Sequence, residues 1–148
     1  MSSPNKLPYA TTLLIRDHCL CLHVQRAARA LARRFDEAFR PLGLTNGQFS
    51  LLMSLNRPEP PPMGPVANLL AIDRTTLTAA LKPLERRGLV RVEKDENDLR
   101  SRILILTPKG MELLARAVPI WQSTHAEIEA QLGDKGPDNL RADLMAVS

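Results

Sequence analysis

Basic and hydroxyl-bearing side chains are concentrated in two short stretches of the sequence. The first, IDRTTLTAALKPLERRGLV, places Arg74 and three threonines within five residues. The second, DLRSRILILT, places Asp98, Arg100 and Arg102 directly before an apolar run. Arginine, lysine and threonine side chains donate hydrogen bonds to phosphate oxygens and to base edges. Both stretches therefore favour contact with a nucleic acid over covalent catalysis.

The sequence contains no motif that is typical of an enzyme or a metal site. It has no Gly-rich phosphate loop, no zinc-ligand spacing and no convincing pair of nucleophile and base. His18 and His23 are five residues apart, so they would not share one face of a helix as a metal pair does. We expect no catalytic residue, no metal and no cofactor.

Composition indicates one globular domain with a basic balance. The chain has 148 residues, a net charge of +4 and 44% hydrophobic residues, which fits one domain with a polyanionic partner. Cys19 and Cys21 alone do not form a disulfide framework, and no apolar run approaches the roughly 20 residues of a membrane span. We expect a cytoplasmic protein with no membrane partner.

The pattern of apolar residues predicts a loose arm over 1–12 and one long helix over about 13–40. Apolar side chains step by three and four residues along one stripe from Leu20 to Ala38. Such a helix would be about 40 Å long, which is more than one small core covers. Part of its apolar surface is therefore expected to meet a second subunit.

The central region predicts three short helices followed by a hairpin. Thr45 with Gln48 is a capping-box signature, Pro65 fits the first turn of a short helix, and Asp73 is a good N-cap. Strands are expected over 89–93 and 102–106, and Thr107 then starts a long helix that runs to about Leu132, before a short final helix. The predicted fold is mainly α with a small β-hairpin wing, that is, a winged helix-turn-helix lobe.

The third of these helices has one apolar and one donor-rich face. Leu77, Leu81 and Leu84 form its core stripe, and polar side chains lie opposite or beside it. A solvated helix face is the alternative interpretation, but such a helix also fits the major groove of DNA. The candidate DNA-binding residues on it are Arg74, Thr75, Thr76, Thr78 and Lys82. Pro83, inside the helix, has no sequence-level explanation.

Four segments resemble MarR-type transcriptional regulators. DLRSRILILT matches the family's wing pattern of Asp-x-Arg, five residues and Leu-Thr, and TPKG matches its usual continuation. IDRTTLTAALKPLERRGLV resembles the family's recognition helix, and LGLTNGQFSLL resembles the entry to its second helix. The resemblance covers roughly residues 19–145.

The resemblance implies a role for each charged residue of the wing. The residue that matches Arg100 reaches into the minor groove of DNA, and the residue that matches Asp98 braces it by an ion pair. Arg102 is expected to support phosphate binding. The alternative is a turn-stabilising ion pair without DNA contact, although an exposed pair contributes only about 0–1 kcal/mol.

The resemblance also implies the architecture and the assembly. It predicts a single MarR-type domain over 1–148, with a DNA-binding lobe over about 45–107 and dimerisation helices over about 13–40 and 108–147. The expected protein is a homodimer, most often a repressor in this family. Its partner would be double-stranded DNA with a pseudo-palindromic operator, whose half-sites lie about 34 Å apart.

Regulation by a small molecule is a further implication of the resemblance. Family members commonly bind small aromatic or anionic effectors between the dimer helices and the DNA-binding lobe. The candidate pocket residues are His23, Arg26, Trp121 and His125, for each of which core packing or a surface position is the alternative.

Cys21 is a candidate redox residue because LCLHVQRAAR resembles the first helix of hydroperoxide-sensing relatives. Two tyrosines bond the matching cysteine there, where this chain has Gln25 and Phe35. An inert packed thiol is the alternative, and a Cys19–Cys21 disulfide is not expected within an intact helix. A winged-helix protein-interaction module without DNA binding is the remaining alternative.

Overall fold

The computed structural model describes residues 6–148, except for the side chain of Lys135. This part of the chain is mainly α-helical, with one antiparallel hairpin, β1 (Val90–Lys94) and β2 (Arg102–Leu106). Short 3-10 turns cover Arg40–Leu42 and Gly133–Lys135. The helices are α1 (Tyr9–His18), α2 (Leu20–Phe39), α3 (Asn46–Leu55), α4 (Met63–Leu70), α5 (Arg74–Arg86), α6 (Pro108–Ala130) and α7 (Pro137–Ala146). The predicted fold class, mainly α with a hairpin wing, is confirmed.

The N-terminal region departs from the prediction of one helix over 13–40. Helix α1 already begins at Tyr9, so residues 9–12 are not a loose arm, and residues 1–5 lie outside the described part. Cys19 adopts an extended conformation (φ −67°, ψ 111°) and separates α1 from α2. Its Sγ accepts a hydrogen bond from the backbone N–H of Leu22 at 3.5 Å and caps α2. The apolar periodicity did not reveal this break because the pattern continues through α1 and α2, on both sides of Cys19.

Capping contacts fix the starts of α3 and α5. The Thr45 side chain accepts from the Gln48 backbone N–H, and the Gln48 side chain accepts from the Thr45 backbone N–H, both at 3.1 Å. The Asp73 carboxylate accepts from the Thr76 backbone N–H at 2.7 Å. These contacts satisfy backbone donors that the first turn of a helix leaves unpaired. Both predicted helix starts are confirmed.

The lobe core is aliphatic, with stacked phenylalanines at one end. The stripe of α5 is buried, as predicted, in a core to which side chains of α2, α3, α4 and the hairpin also contribute. Phe39 stacks on Phe49 with ring centroids 4.7 Å apart. The fully or almost fully buried apolar residues include Leu52, Val66, Leu77, Leu81, Leu84 and Leu104. This core holds α5 with its polar face outward.

The loop before α4 joins the wing. Val90 pairs with Leu106 and Lys94 with Arg102, within one residue of the predicted strands. In addition, the backbone N–H of Leu104 donates to the carbonyl of Pro61 at 2.9 Å, and Pro62 forms an isolated bridge with Ile103. A backbone hydrogen bond therefore attaches the wing to the start of α4.

The terminal helices leave apolar side chains exposed in the single chain. Helix α6 packs against α2 and α3, and it continues through Pro119 and ends near the predicted residue. The exposed large apolar side chains of the other helices include Leu14, Ile15, Leu20, Val24, Leu140, Met145 and Val147. No helix within residues 6–148 is both long and apolar enough to cross a membrane.

Candidate nucleic-acid interface

Helix α5 presents its predicted donor residues to solvent. Arg74, Thr75, Thr76, Thr78 and Lys82 are all exposed, whereas the leucine stripe on the other face is buried. The Thr78 hydroxyl donates to the Arg74 carbonyl at 2.9 Å, within the helix. The side chains of Thr75 and Lys82 make no hydrogen bond or ion pair to any other residue of 6–148, so they are available to a ligand.

The N-cap of α5 carries a persistent negative charge. The pKa of Asp73 lies below its ordinary value of 3.8, chiefly because the Thr76 backbone N–H donates a hydrogen bond to the carboxylate. The ionised carboxylate is the better acceptor and complements the positive end of the helix dipole. Asp73 therefore fixes the start of α5 and the position of Arg74 beside it.

The wing turn is ordered by two aspartates that bond to backbone N–H groups. Asp95 Oδ1 accepts from the Asn97 N–H at 2.9 Å, and Asp98 Oδ1 accepts from the Arg100 N–H at 3.1 Å. The prediction that Asp98 braces the Arg100 guanidinium by an ion pair is wrong, since their side chains form no ion pair. Instead of an ion pair, the Asp98 side chain forms an Asx turn with the backbone N–H two residues further along the chain. The Arg100 side chain is thereby left exposed and unpaired at the turn.

A cleft of about 310 Å³ lies between the start of α5, the start of α4 and the wing. Three guanidinium-bearing residues line it: Arg74 from α5, and Arg100 and Arg102 from the wing. Backbone and side-chain atoms of Ser101 and of residues 62–65 complete the lining. We call it the arginine cleft. The structure thus brings Arg74 of α5 together with the two wing arginines. The contribution of the loop before α4 to this cleft carries no sequence motif and was missed.

A second cavity, of about 440 Å³, lies where α2, α3 and α6 meet. We call it the helical cavity. Trp121, a predicted pocket residue, lines it, and His125 stacks on Trp121 with ring centroids 4.7 Å apart. His23 and Arg26 lie on the exposed N-terminal half of α2 and do not line this cavity in the single chain. Sequence reasoning missed its other lining residues, Phe35, Phe39, Asn46, Phe49, Ser50, Met53 and Val118.

Cys21 is an exposed free thiol in the first turn of α2. The Gln25 amide nitrogen lies 3.4 Å from its Sγ. The Cys21 thiol is therefore not packed in the single chain. Gln25, which stands where hydroperoxide-sensing relatives have a tyrosine, places its amide donor at the Cys21 sulfur. His23, one turn away from Cys19, bonds the Cys19 carbonyl at 2.7 Å.

Comparison with known proteins agrees with this arrangement. The sequence profile of the MarR family matches residues 44–101, which span the helix-turn-helix and most of the wing. The organic hydroperoxide resistance transcriptional regulator of Bacillus subtilis is 30% identical over 101 residues, which are 68% of this chain and 69% of that protein. The chain belongs to the MarR family. Members of this family are DNA-binding transcriptional regulators and not enzymes, and dimerisation and repression are typical of it.

Solved MarR-family structures extend the similarity to nearly the whole chain. The M. tuberculosis regulator MosR in complex with DNA is 39% identical with a TM-score of 0.80, covering 88% of this chain and 93% of that one. The transcriptional repressor CouR, bound to a 23-mer DNA duplex, is 30% identical with a TM-score of 0.74, covering 97% and 96%. The predicted family, fold class and non-enzymatic role are confirmed.

Proposed function

We propose that this chain acts as a homodimeric repressor that binds a pseudo-palindromic operator through α5 and the wing. The observation that carries the proposal is the arginine cleft, because it brings Arg74, at the start of the exposed donor face of α5, together with the two wing arginines. In this arrangement, Arg74, Thr75, Thr76, Thr78 and Lys82 face the major groove. The cytoplasmic location expected from the sequence goes with this role, since a DNA-binding regulator acts where its operator lies.

Arg100 is assigned to the minor groove. Its side chain is exposed and has no carboxylate partner within residues 6–148, while its backbone is held by Asp98. A narrow minor groove carries a strong negative potential that attracts an inserted arginine. Asp98 therefore acts by shaping the turn, and Arg102, the first residue of β2, faces the phosphate backbone.

The terminal helices are assigned to dimerisation. They carry large exposed apolar side chains, among them Leu20, Val24 and Val147, which are 75%, 43% and 71% exposed. Apolar surface of this extent is typical of a protein–protein interface. A two-fold dimer would present two α5 helices about 34 Å apart, which is one turn of DNA. The lobe over about 45–107 would then be carried by the helices over about 13–40 and 108–147.

An aromatic effector is assigned to the helical cavity. Its lining is mainly aromatic and aliphatic, with Asn46 and Ser50 as polar groups, and it holds no arginine. This chemistry favours an aromatic ring over a purely anionic molecule. The cavity lies between α3, a helix of the DNA-binding lobe, and the helices α2 and α6 assigned to dimerisation. A molecule that fits the cavity at only one distance between the two lobes of the dimer would therefore change DNA affinity by linkage.

Selection of duplexes from a random-sequence pool with the purified protein tests the proposal. A pseudo-palindrome with half-site centres about 10 base pairs apart is the expected product. If no sequence is enriched above the input, DNA recognition is refuted and the protein-interaction module becomes the better account. Capture with a scrambled version of the enriched duplex is the control for non-specific binding.

Oxidant sensing by Cys21 is a second candidate, favoured by its exposure and by the Gln25 amide at its sulfur. A hydroperoxide would transfer one oxygen to the thiolate, forming a sulfenic acid and releasing the alcohol. Mass spectrometry after mild peroxide treatment, with DNA affinity measured on the same sample, tests it. No added oxygen on Cys21, or unchanged affinity after oxidation, would exclude this candidate.

A further inference from the structure

We propose that the arginine cleft binds one phosphate of the DNA backbone, and that Arg74 of α5 and Arg102 of the wing share it. This inference rests on the proposed DNA-binding function and adds a specific site to it. The shared phosphate would couple the helix in the major groove to the wing in the minor groove.

The position of the cleft follows from the two grooves. A sugar–phosphate backbone separates the major groove from the adjacent minor groove on a duplex. Helix α5 is assigned to the first groove, and Arg100, at the wing edge of the cleft, is assigned to the second, so the cleft faces the backbone between the two grooves. The backbone that separates the two grooves must therefore cross the mouth of the cleft.

The frame of the cleft is fixed by backbone hydrogen bonding. The Leu104 N–H donates to the Pro61 carbonyl at 2.9 Å, and Pro62 bridges Ile103, next to Arg102 on β2. The start of α4 and the base of the wing therefore move together. The separation of Arg74 from Arg102 is set by this frame and not by the exposed tip of the wing.

Gly64 lies against the Arg74 guanidinium. A Cβ atom built on Gly64 would be 3.3 Å from Arg74 Nη2, which is closer than such atoms normally approach. The missing side chain at position 64 thus gives the guanidinium room against the first turn of α4. The Arg74 side chain lines the cleft, at the edge of the face that α5 presents to the major groove.

The charge of the cleft is not balanced within the described chain. Neither Arg74, Arg100 nor Arg102 forms an ion pair with a carboxylate of residues 6–148. The nearby carboxylates of Asp73 and Asp98 accept hydrogen bonds from backbone N–H groups. Guanidinium groups bind phosphate oxygens in a bidentate, charge-assisted manner, so Arg74 and Arg102 can both donate hydrogen bonds to an incoming phosphate.

The test uses the duplex enriched by wild-type protein, with single neutral methylphosphonates placed symmetrically at each backbone position in turn. Wild type should lose about tenfold or more in affinity at one position per half-site. Arg74→Gln and Arg102→Gln should each weaken binding to the unmodified duplex and become insensitive to the methylphosphonate at that same position.

Arg91→Gln is the matched control, because Arg91 lies on the same hairpin but pairs with Glu93 at 3.3 Å, outside the cleft. This variant should keep the full sensitivity of wild type. The shared site is refuted if Arg74→Gln and Arg102→Gln lose sensitivity at different phosphates, or if both stay as sensitive as wild type. In either case the DNA-binding function stands. If wild type enriches no duplex, the function and the site are both refuted.

Discussion

Replacing Gly110 with alanine should destabilise the junction between the wing and α6. A methyl group at this position would overlap the backbone carbonyl oxygen of Leu89 and lie 2.8 Å from Leu106 Cδ1. Because the main obstacle is backbone, we take the upper end of the cost of overpacking, about 3 kcal/mol. Alanine's better helix propensity offsets about 1 kcal/mol. The net loss of about 2 kcal/mol corresponds to a fall in Tm of about 4–8 °C for a chain of this size.

Urea unfolding followed by circular dichroism, at a fixed protomer concentration because a dimer's stability depends on it, measures this loss. Gly47→Ala is the matched control. A methyl group there, in the first turn of α3, would meet only Thr45 Oγ1 at 4.0 Å, so it should stabilise the protein by up to about 1 kcal/mol. A Gly110→Ala protein as stable as wild type would refute the close approach of α6 to Leu89.

Three further predictions concern the cap of α5, its donor face and the helical cavity. Asp73→Ala should lower the free energy of unfolding at neutral pH. Because the folded pKa of Asp73 lies below 3.8, the difference in unfolding free energy between Asp73→Ala and wild type should shrink as the pH falls below about 4. Unfolding curves at pH 7 and pH 3 measure this difference. An equal difference at both pH values would contradict the capping role. Thr75→Ala should change which base pairs a repeated selection enriches more than it changes overall affinity; an unchanged consensus would remove Thr75 from base contact. Trp121 is the only tryptophan of the sequence. A phenolic compound that enters the helical cavity should therefore quench the fluorescence of Trp121, and the same compound should weaken DNA binding. Quenching without a change in DNA affinity would argue against an effector role.

Much of the DNA-binding lobe was predictable because its signals are local. Caps at Thr45 and Asp73, the leucine stripe of α5 and the strand–turn–strand pattern each depend on residues a few positions apart. Those signals gave the helix starts and the strands to within about one residue. The exposed donor face of α5 followed directly from the position of the buried stripe.

The features that the sequence did not reveal depend on contacts between distant segments or on one residue's backbone. The hydrogen bond from Leu104 to Pro61 joins segments 43 positions apart, and no local pattern marks it. Cys19 leaves the helical conformation without a proline or glycine to signal a break. The pairing of Asp98 with a backbone N–H, where the guanidinium of Arg100 was expected, follows from turn geometry that charge alone does not encode.

Fluorescence anisotropy tests most directly whether the protein binds DNA with Arg100 in the minor groove. The enriched duplex and a scrambled duplex are titrated with wild type, with Arg100→Ala and with the control Arg91→Gln, each at two salt concentrations. Wild-type affinity should be sequence-selective and fall steeply with salt. Arg100→Ala should weaken binding about fivefold or more at every sequence, and Arg91→Gln should resemble wild type. Arg100→Ala binding as tightly as wild type would contradict the assignment of the wing to the minor groove.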